Sequence, residues 1–148
     1  MANNLFNYFS KSIGVDLGTA NSLVYVAGRG IVINEPSIAA VNNKTGQVLA
    51  IGDEAKKMVG RTPAHITIVR PLVNGVISDF DMTQEMLKYF FKKIGANNGV
   101  FNYSRAVIGV PTNLTEVERK SVEDAVIGAG AKKAYVVEEP LAAAIGAR

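Results

Sequence analysis

The stretch Ile13-Gly-Val-Asp-Leu-Gly-Thr-Ala-Asn-Ser-Leu-Val-Tyr-Val26 decides the fold. Its two ends are rich in β-branched and other apolar residues, and the small, turn-favouring segment Gly18-Thr-Ala-Asn21 lies between them. This pattern predicts two antiparallel strands, 13–17 and 22–26, joined by a tight turn. A third apolar run, 31–33, follows a glycine-rich turn. We therefore expect a three-stranded antiparallel meander.

The remainder of the chain divides into two parts with different patterns. Residues 36–78 contain short β-rich runs, turns and one short helical segment, which predicts a smaller inserted α+β subdomain. Residues 79–148 alternate helices with the apolar strands 105–110 and 134–138, and they are expected to form the main subdomain together with residues 13–35. The resulting order is βββαβαβα around an insertion. The predicted fold class is α/β, a ribonuclease-H-like or actin-like mixed sheet with helices on both faces.

Helix-start signals support this division of the chain. Asp81 followed by Gln84 resembles a capping box, and Thr115 followed by Glu118 is the full form of that motif. Pro140 is placed to open the last helix, because proline suits the first helical position. The helix after Asp81 carries one apolar stripe, made of Met86, Leu87, Phe90, Phe91 and Ile94.

Composition excludes several classes of site. The chain has 148 residues, no cysteine and a formal net charge of +3. Disulfides, thiolate metal sites and a cysteine nucleophile are therefore ruled out, and no nucleic-acid partner is expected. The single histidine, His65, is predicted to be an exposed polar residue. No apolar run approaches the ~18–20 residues of a membrane-spanning helix.

The first candidate site is Asp16 with the turn that follows it. Small residues allow a ligand to approach the backbone closely, and the N–H groups of such a turn can form an anion-binding concavity. Thr19 and Asn21 add side-chain hydrogen bonds, and the Asp16 carboxylate suits a hard cation such as Mg²⁺. The alternative interpretation is a β-hairpin in which Asp and Asn only favour the turn.

The second candidate site is Glu139, in the segment Glu138-Glu-Pro140 between a strand and a helix. Ligands of open α/β sheets bind at the carboxyl ends of strands, where a carboxylate can orient or deprotonate a water molecule. The alternative is that Glu139 only caps the helix and favours its positive end. Asp16 and Glu139 are expected at neighbouring strand ends.

These residues resemble the MreB family of bacterial actins, which are cell shape-determining proteins of the actin/Hsp70/sugar-kinase ATPase superfamily. The segment 14–25 is similar to the family's first phosphate motif. Further matching segments, in the family's order, are Gly30-Ile-Val-Ile-Asn-Glu-Pro-Ser37, Gly60-Arg-Thr-Pro63, Arg70-Pro71, Asn74-Gly-Val-Ile77, Val107-Ile-Gly-Val-Pro111, Val117-Glu-Arg119, Gly128-Ala-Gly130 and Glu138-Glu-Pro-Leu-Ala-Ala-Ala-Ile-Gly146. The resemblance extends from about residue 13 to the end of the chain.

The resemblance implies an ATPase with an actin-like fold whose cofactors are ATP and Mg²⁺. Asp16 would organise the Mg²⁺ through water, and Glu139 would position the hydrolytic water, so both are implied catalytic residues. The implied ATP-phosphate-binding residues are Gly18, Thr19, Ala20 and Asn21. The implied function is ATP-dependent polymerisation into membrane-associated filaments that determine cell shape. Its partners would be further copies of the chain, the cytoplasmic membrane and the cell-shape or wall-synthesis machinery, in a cytoplasmic location on the membrane's inner face.

Residues 1–12 form a leader before the first strand. On a helix, Leu5, Phe6 and Phe9 would lie on one side, which is typical of a short amphipathic helix bound at a membrane interface. The alternative is a tail that packs on its own domain.

The family's second phosphate motif, of the D-x-G-G-G-T type, is not found in these residues. The sequence is therefore expected to represent one lobe of a two-lobed ATPase, with the second lobe absent, and to bind and hydrolyse ATP poorly alone. Three other functions stay open. They are a metabolic kinase of the same superfamily, an actin-like scaffold with little turnover, and a two-metal nuclease using Asp16, Asp79 and Glu138 or Glu139.

Overall fold

The computed structural model of the chain describes residues 11–95 and 103–147. The predicted membrane residues Leu5, Phe6 and Phe9 lie outside these ranges. The strands are β1 (Lys11–Leu17), β2 (Asn21–Val26), β3 (Gly30–Pro36), β4 (Ala39–Asn42), β5 (Val48–Ile51), β6 (Ile66–Val69), β7 (Leu72–Val73), β8 (Val76–Ile77), β9 (Tyr103–Val110) and β10 (Ala134–Glu138). The helices are α1 (Asp53–Met58), α2 (Phe80–Gly95), α3 (Glu116–Gly128) and α4 (Glu139–Gly146).

A five-stranded mixed sheet forms the centre of the fold, with the strand order β10-β9-β1-β2-β3. The meander β1-β2-β3 is antiparallel, whereas β9 pairs parallel with both β1 and β10. Parallel neighbours require crossover connections, and α2 and α3 lie in the segments that lead to β9 and β10. The predicted α/β class and the βββαβαβα order are confirmed.

The core lies on one face of this sheet because side chains alternate along each strand. In β1, Ile13, Val15 and Leu17 are buried, whereas Asp16 faces the other way and is exposed. The predicted stripe of α2 is buried along its whole length: Met86, Leu87, Phe90, Phe91 and Ile94. Among the described residues, no helix combines the length and the apolar character that crossing a membrane requires.

Residues of the predicted insertion build a second sheet of their own, with the order β5-β4-β6. Ile38, Ala40 and Ala55 form a small apolar cluster between this sheet and α1. The short hairpin β7-β8 leads from the second sheet to α2. His65 is exposed just before β6, as predicted.

One predicted cap is confirmed and one is wrong. Thr115 and Glu118 form a complete capping box at the start of α3. The cap of α2 is Asp79 rather than Asp81, because the helix already begins at Phe80. The Asp79 carboxylate accepts a hydrogen bond from the Met82 backbone N–H at 2.9 Å.

A buried carboxylate joins β3 to α1 and α2. Glu35 is only 3% exposed, and it forms an ion pair with Lys93, near the end of α2. It also accepts hydrogen bonds from the Asp53 N–H at 3.3 Å and from the Tyr89 hydroxyl at 3.5 Å. Gly52, the residue before α1, has a φ of 65°, and a Cβ atom there would collide with the Glu35 carboxylate. Glycine is therefore required at this position by both conformation and space.

We expect Gly52→Ala to lower the free energy of unfolding by about 2–5 kcal/mol, because it adds a collision to the unfavourable φ. Gly46→Ala is the matched control, since Gly46 has a φ of 71° and nothing within 4 Å of a Cβ atom. Its cost should be only about 1–2 kcal/mol. Urea unfolding of both variants measures the two losses of unfolding free energy. Equal losses would contradict the conclusion that the Glu35 carboxylate leaves no space for a side chain at position 52.

Candidate functional site

Asp16 is positioned by the alternation of β1, which directs it to the face opposite the core. It lies opposite Leu23 of β2 and Gly109 of β9 in the strand register. Although the residue is exposed, the surrounding sheet removes enough water from the carboxylate to raise its pKa above the ordinary value of 3.8. Partial desolvation of a negative charge favours a compensating cation at this point.

Glu139 is the first residue of α4, directly after β10. The expectation that it lies on a strand next to that of Asp16 is wrong, because β9 separates β1 from β10. In the strand register, Gly109 of β9 lies between Asp16 of β1 and Val137 of β10. A Cβ atom at Gly109 would lie 3.5 Å from Glu139 Cγ, so the glycine leaves space beside the glutamate.

Asp16 and Glu139 consequently line the same open pocket, which has a volume of about 530 Å³. Its acidic side is formed by these two carboxylates. Apolar side chains and small residues form the remainder, including Tyr25, Ile31, Val107, Ala142 and Ala143. The structure therefore brings together the two residues predicted to be catalytic.

The predicted phosphate-binding turn, Gly18-Thr-Ala-Asn21, follows Asp16 at the end of β1. A Cβ atom at Gly18 would lie 2.5 Å from the Asn21 carbonyl oxygen, so the turn is too tight for a side chain there. The Thr19 hydroxyl accepts a hydrogen bond from the Gly75 N–H at 2.8 Å, which connects the turn to the β7-β8 hairpin. The Asn21 side-chain amide donates to Asn34 Oδ1 at 3.3 Å.

Three residues around these positions were missed by the sequence predictions: Ser37, Gly75 and Gly109. Ser37 and Gly75 contact the turn from distant parts of the sequence, and no local pattern indicates such contacts. Gly109 had a detectable signal, because a glycine within the otherwise apolar strand segment Val107-Ile-Gly-Val110 often marks a close approach.

The residues present fit a magnesium ion held through water. Carboxylate oxygen is the ligand that Mg²⁺ prefers, and this ion keeps several waters while taking only one or two protein carboxylates. Within the described ranges, no group of three His, Asp or Glu side chains is arranged to hold a metal ion. Asp79, which the nuclease hypothesis would need, caps α2 instead. The site thus contains the Asp16 carboxylate beside the predicted phosphate-binding turn.

Residues 10–148 match the family model described as MreB/Mbl protein. The chain belongs to the MreB/Mbl family. Cell shape-determining protein Mbl of Bacillus subtilis (strain 168) is 51% identical over 139 residues, which cover 94% of this chain and 41% of that relative. The chain thus spans about two fifths of the length of the curated MreB/Mbl relatives it matches.

Solved structures of MreB-like proteins resemble the fold described above. MreB5 of Spiroplasma citri bound to ADP has a TM-score of 0.83 and 40% identity, covering 93% of this chain and 41% of its own. The MamK double helical filament has a TM-score of 0.77 and 26% identity, covering 93% of this chain and 43% of its own. Membership of the MreB/Mbl family favours the actin-like hypothesis over the kinase and nuclease hypotheses.

The pKa of Asp16 leads to a prediction about stability. Its raised pKa means that the ionised carboxylate is less favourable in the folded state than in the unfolded state, so Asp16→Asn should unfold at higher urea concentration than wild type at pH 7. This gain should shrink as the pH falls through the raised pKa. It should be absent below 3.8, where the carboxyl is protonated in both states.

Asp81→Asn provides the control for this experiment, carried out without nucleotide or Mg²⁺. Asp81 is exposed in the first turn of α2, where a negative charge favours the helix, so its replacement should lower stability by about 0.3–1 kcal/mol. A stability gain for Asp16→Asn that persisted undiminished at low pH would contradict the electrostatic explanation.

Proposed function

We propose that this protein is an ATP-dependent bacterial actin homologue that polymerises into filaments and determines cell shape. The observation that carries the proposal is the pocket lined by both Asp16 and Glu139, next to the turn Gly18-Thr-Ala-Asn21. The relatives support it: Mbl is named a cell shape-determining protein, and MreB5 of Spiroplasma citri has been solved with ADP and with AMPPNP. The filament structure of MamK supports self-association.

In this proposal, each part of the site has a separate task. Bound Mg·ATP supplies the phosphoanhydride bond that is cleaved and the cation that offsets its charge. Asp16 holds the Mg²⁺ through its water ligands, and the turn 18–21 binds phosphate through backbone N–H groups and the side chains of Thr19 and Asn21. Glu139 orients the attacking water and accepts its proton at the carboxylate. Hydrolysis then depends mainly on positioning and electrostatics.

The role of Glu139 is tested by Glu139→Gln in the intact protein. We expect ATP hydrolysis to fall by roughly 10²–10⁴-fold, because the amide cannot accept the proton, while the affinity for Mg·ATP stays close to that of wild type. Glu138→Gln is the matched control, because Glu138 is adjacent in sequence but does not line the pocket. Phosphate release and nucleotide titration measure the two quantities. Equal losses in the two variants would contradict the assignment.

Assembly is tested by electron microscopy with Mg·ATP. Wild-type protein should form filaments, and Asp16→Ala should form far fewer because it loses the carboxylate that holds the Mg²⁺. Asp81→Ala removes an exposed aspartate outside the pocket and should assemble like wild type. Filaments that form equally in the wild type and Asp16→Ala would leave the nucleotide mechanism without support.

We also propose that the filaments lie on the inner face of the cytoplasmic membrane, with the cell-shape or wall-synthesis machinery as partner. Leu5, Phe6 and Phe9 would insert into the membrane interface. Their burial contributes at most roughly 5–9 kcal/mol, and the ordering of the leader offsets much of this. A single copy therefore binds weakly, and a filament that presents many copies binds by avidity.

Liposome co-sedimentation tests the membrane proposal. Assembled protein with Leu5, Phe6 and Phe9 replaced by serine should pellet much less than wild type, because the apolar side chains are lost. The matched control replaces Asn3, Asn7 and Ser10 by alanine, which changes polar residues outside the apolar side of the predicted helix and should preserve pelleting. If the serine variant pellets as well as wild type, the leader is not the membrane anchor.

A further inference from the structure

Ser37 lies behind the turn Gly18-Thr-Ala-Asn21 and is completely buried. Its hydroxyl donates a hydrogen bond to the Gly18 carbonyl oxygen at 2.6 Å, and its backbone N–H donates to the Ala20 carbonyl oxygen at 3.0 Å. One residue, 19 positions from Gly18 in the sequence, thus holds two carbonyl oxygens of the turn.

A second buried serine completes this arrangement. Ser22 is also fully buried, and its hydroxyl oxygen lies 2.9 Å from that of Ser37. A serine hydroxyl has one proton, and that of Ser37 is directed to Gly18. Ser22 must therefore be the donor to Ser37, which gives the hydrogen-bond chain the direction Ser22 to Ser37 to Gly18. Because a buried hydroxyl without a partner is costly, this chain resists rearrangement.

The two carbonyl contacts determine where the amides of the turn point. No peptide bond of the described residues is cis. In a planar trans peptide, the C=O and the following N–H point in opposite directions. With the Gly18 and Ala20 carbonyl oxygens held by Ser37, the N–H groups of Thr19 and Asn21 are directed away from it. Thr19, Ala20 and Asn21 are themselves exposed.

We propose that Ser37 is the positioning residue of the phosphate-binding turn: by holding the carbonyl oxygens of Gly18 and Ala20, it directs the N–H groups of Thr19 and Asn21 toward the nucleotide phosphates. This inference rests on the proposed function, since it takes a nucleoside phosphate as the ligand. Peptide N–H groups aimed at one point are an effective anion site, and their fixed orientation removes an ordering cost from binding.

Hydrogen exchange of individual amides in the intact wild-type protein tests the orientation without any variant. On addition of Mg·ADP, the Thr19 and Asn21 amides should exchange more slowly, because both point at the bound phosphates. If the two amides exchange at unchanged rates when nucleotide saturates the protein, the inference is overturned.

Two matched serine variants separate positioning from stability. Ser37→Ala should weaken Mg·ADP binding roughly 3- to 10-fold, the value of one lost hydrogen bond. Ser22→Ala removes an equally buried hydroxyl but leaves both carbonyl contacts of Ser37 in place, so its affinity should stay within about twofold of wild type. Thermal unfolding without nucleotide should show similar losses of stability. Equal affinities in the two variants would mean that Ser37 has only a structural role.

Ser37→Cys is measured beside these variants, since it keeps the shape of the side chain with a somewhat larger atom in place of the hydroxyl oxygen and donates only a weak hydrogen bond. Its affinity should also fall, and wild-type affinity in folded Ser37→Ala and Ser37→Cys overturns the inference. Asp16→Ala distinguishes failure of the proposed nucleotide-binding function from failure of the inference about Ser37. If wild-type protein binds no nucleotide, the proposed function fails together with the inference. If Asp16→Ala loses binding while the Ser37 variants retain it, the inference fails alone.

Discussion

The alternation of side chains along β1 is the constraint on which both the core and the candidate site depend. Ile13, Val15 and Leu17 enter the core, so Asp16 must face the opposite side of the sheet. A shift of the strand by one residue would bury the carboxylate and expose three large apolar side chains. Burial of the three apolar side chains therefore also fixes the orientation of Asp16 toward the pocket, without any further interaction.

Parallel pairing brings the other half of the site to the same edge. β1, β9 and β10 run in one direction, so their carboxyl ends lie at the same edge of the sheet. Asp16 lies near the carboxyl end of β1, and Glu139 directly follows β10. The strand between them carries Gly109 at that level, where a Cβ atom would come into ordinary contact with Glu139 Cγ at 3.5 Å. Gly109 thus lines the pocket together with the two carboxylates.

Features that depend on residues close together in the sequence could be predicted, whereas contacts between distant residues could not. The predicted strand 134–138 has the bounds that the structure shows, and the predicted Thr115 capping box is present, because the apolar period and capping are local. The cap at Asp79 was missed by two residues, since Asp81 also has the right chemistry. The strand order around β9 and the contact of Ser37 with Gly18 depend on residues distant in sequence, which no local pattern reports.

The segment Glu35-Pro-Ser37 shows how such distant contacts determine the shape of the site. Glu35 is fixed by an ion pair to Lys93 and by the start of α1, while Ser37 holds the turn after β1. Pro36 between them has little backbone freedom, because its ring restricts φ. The turn therefore rests on a short rigid segment that is anchored in the body of the protein. Under the proposed function, a turn fixed in this way would lose little conformational entropy on binding an anion, because its backbone is already held in place.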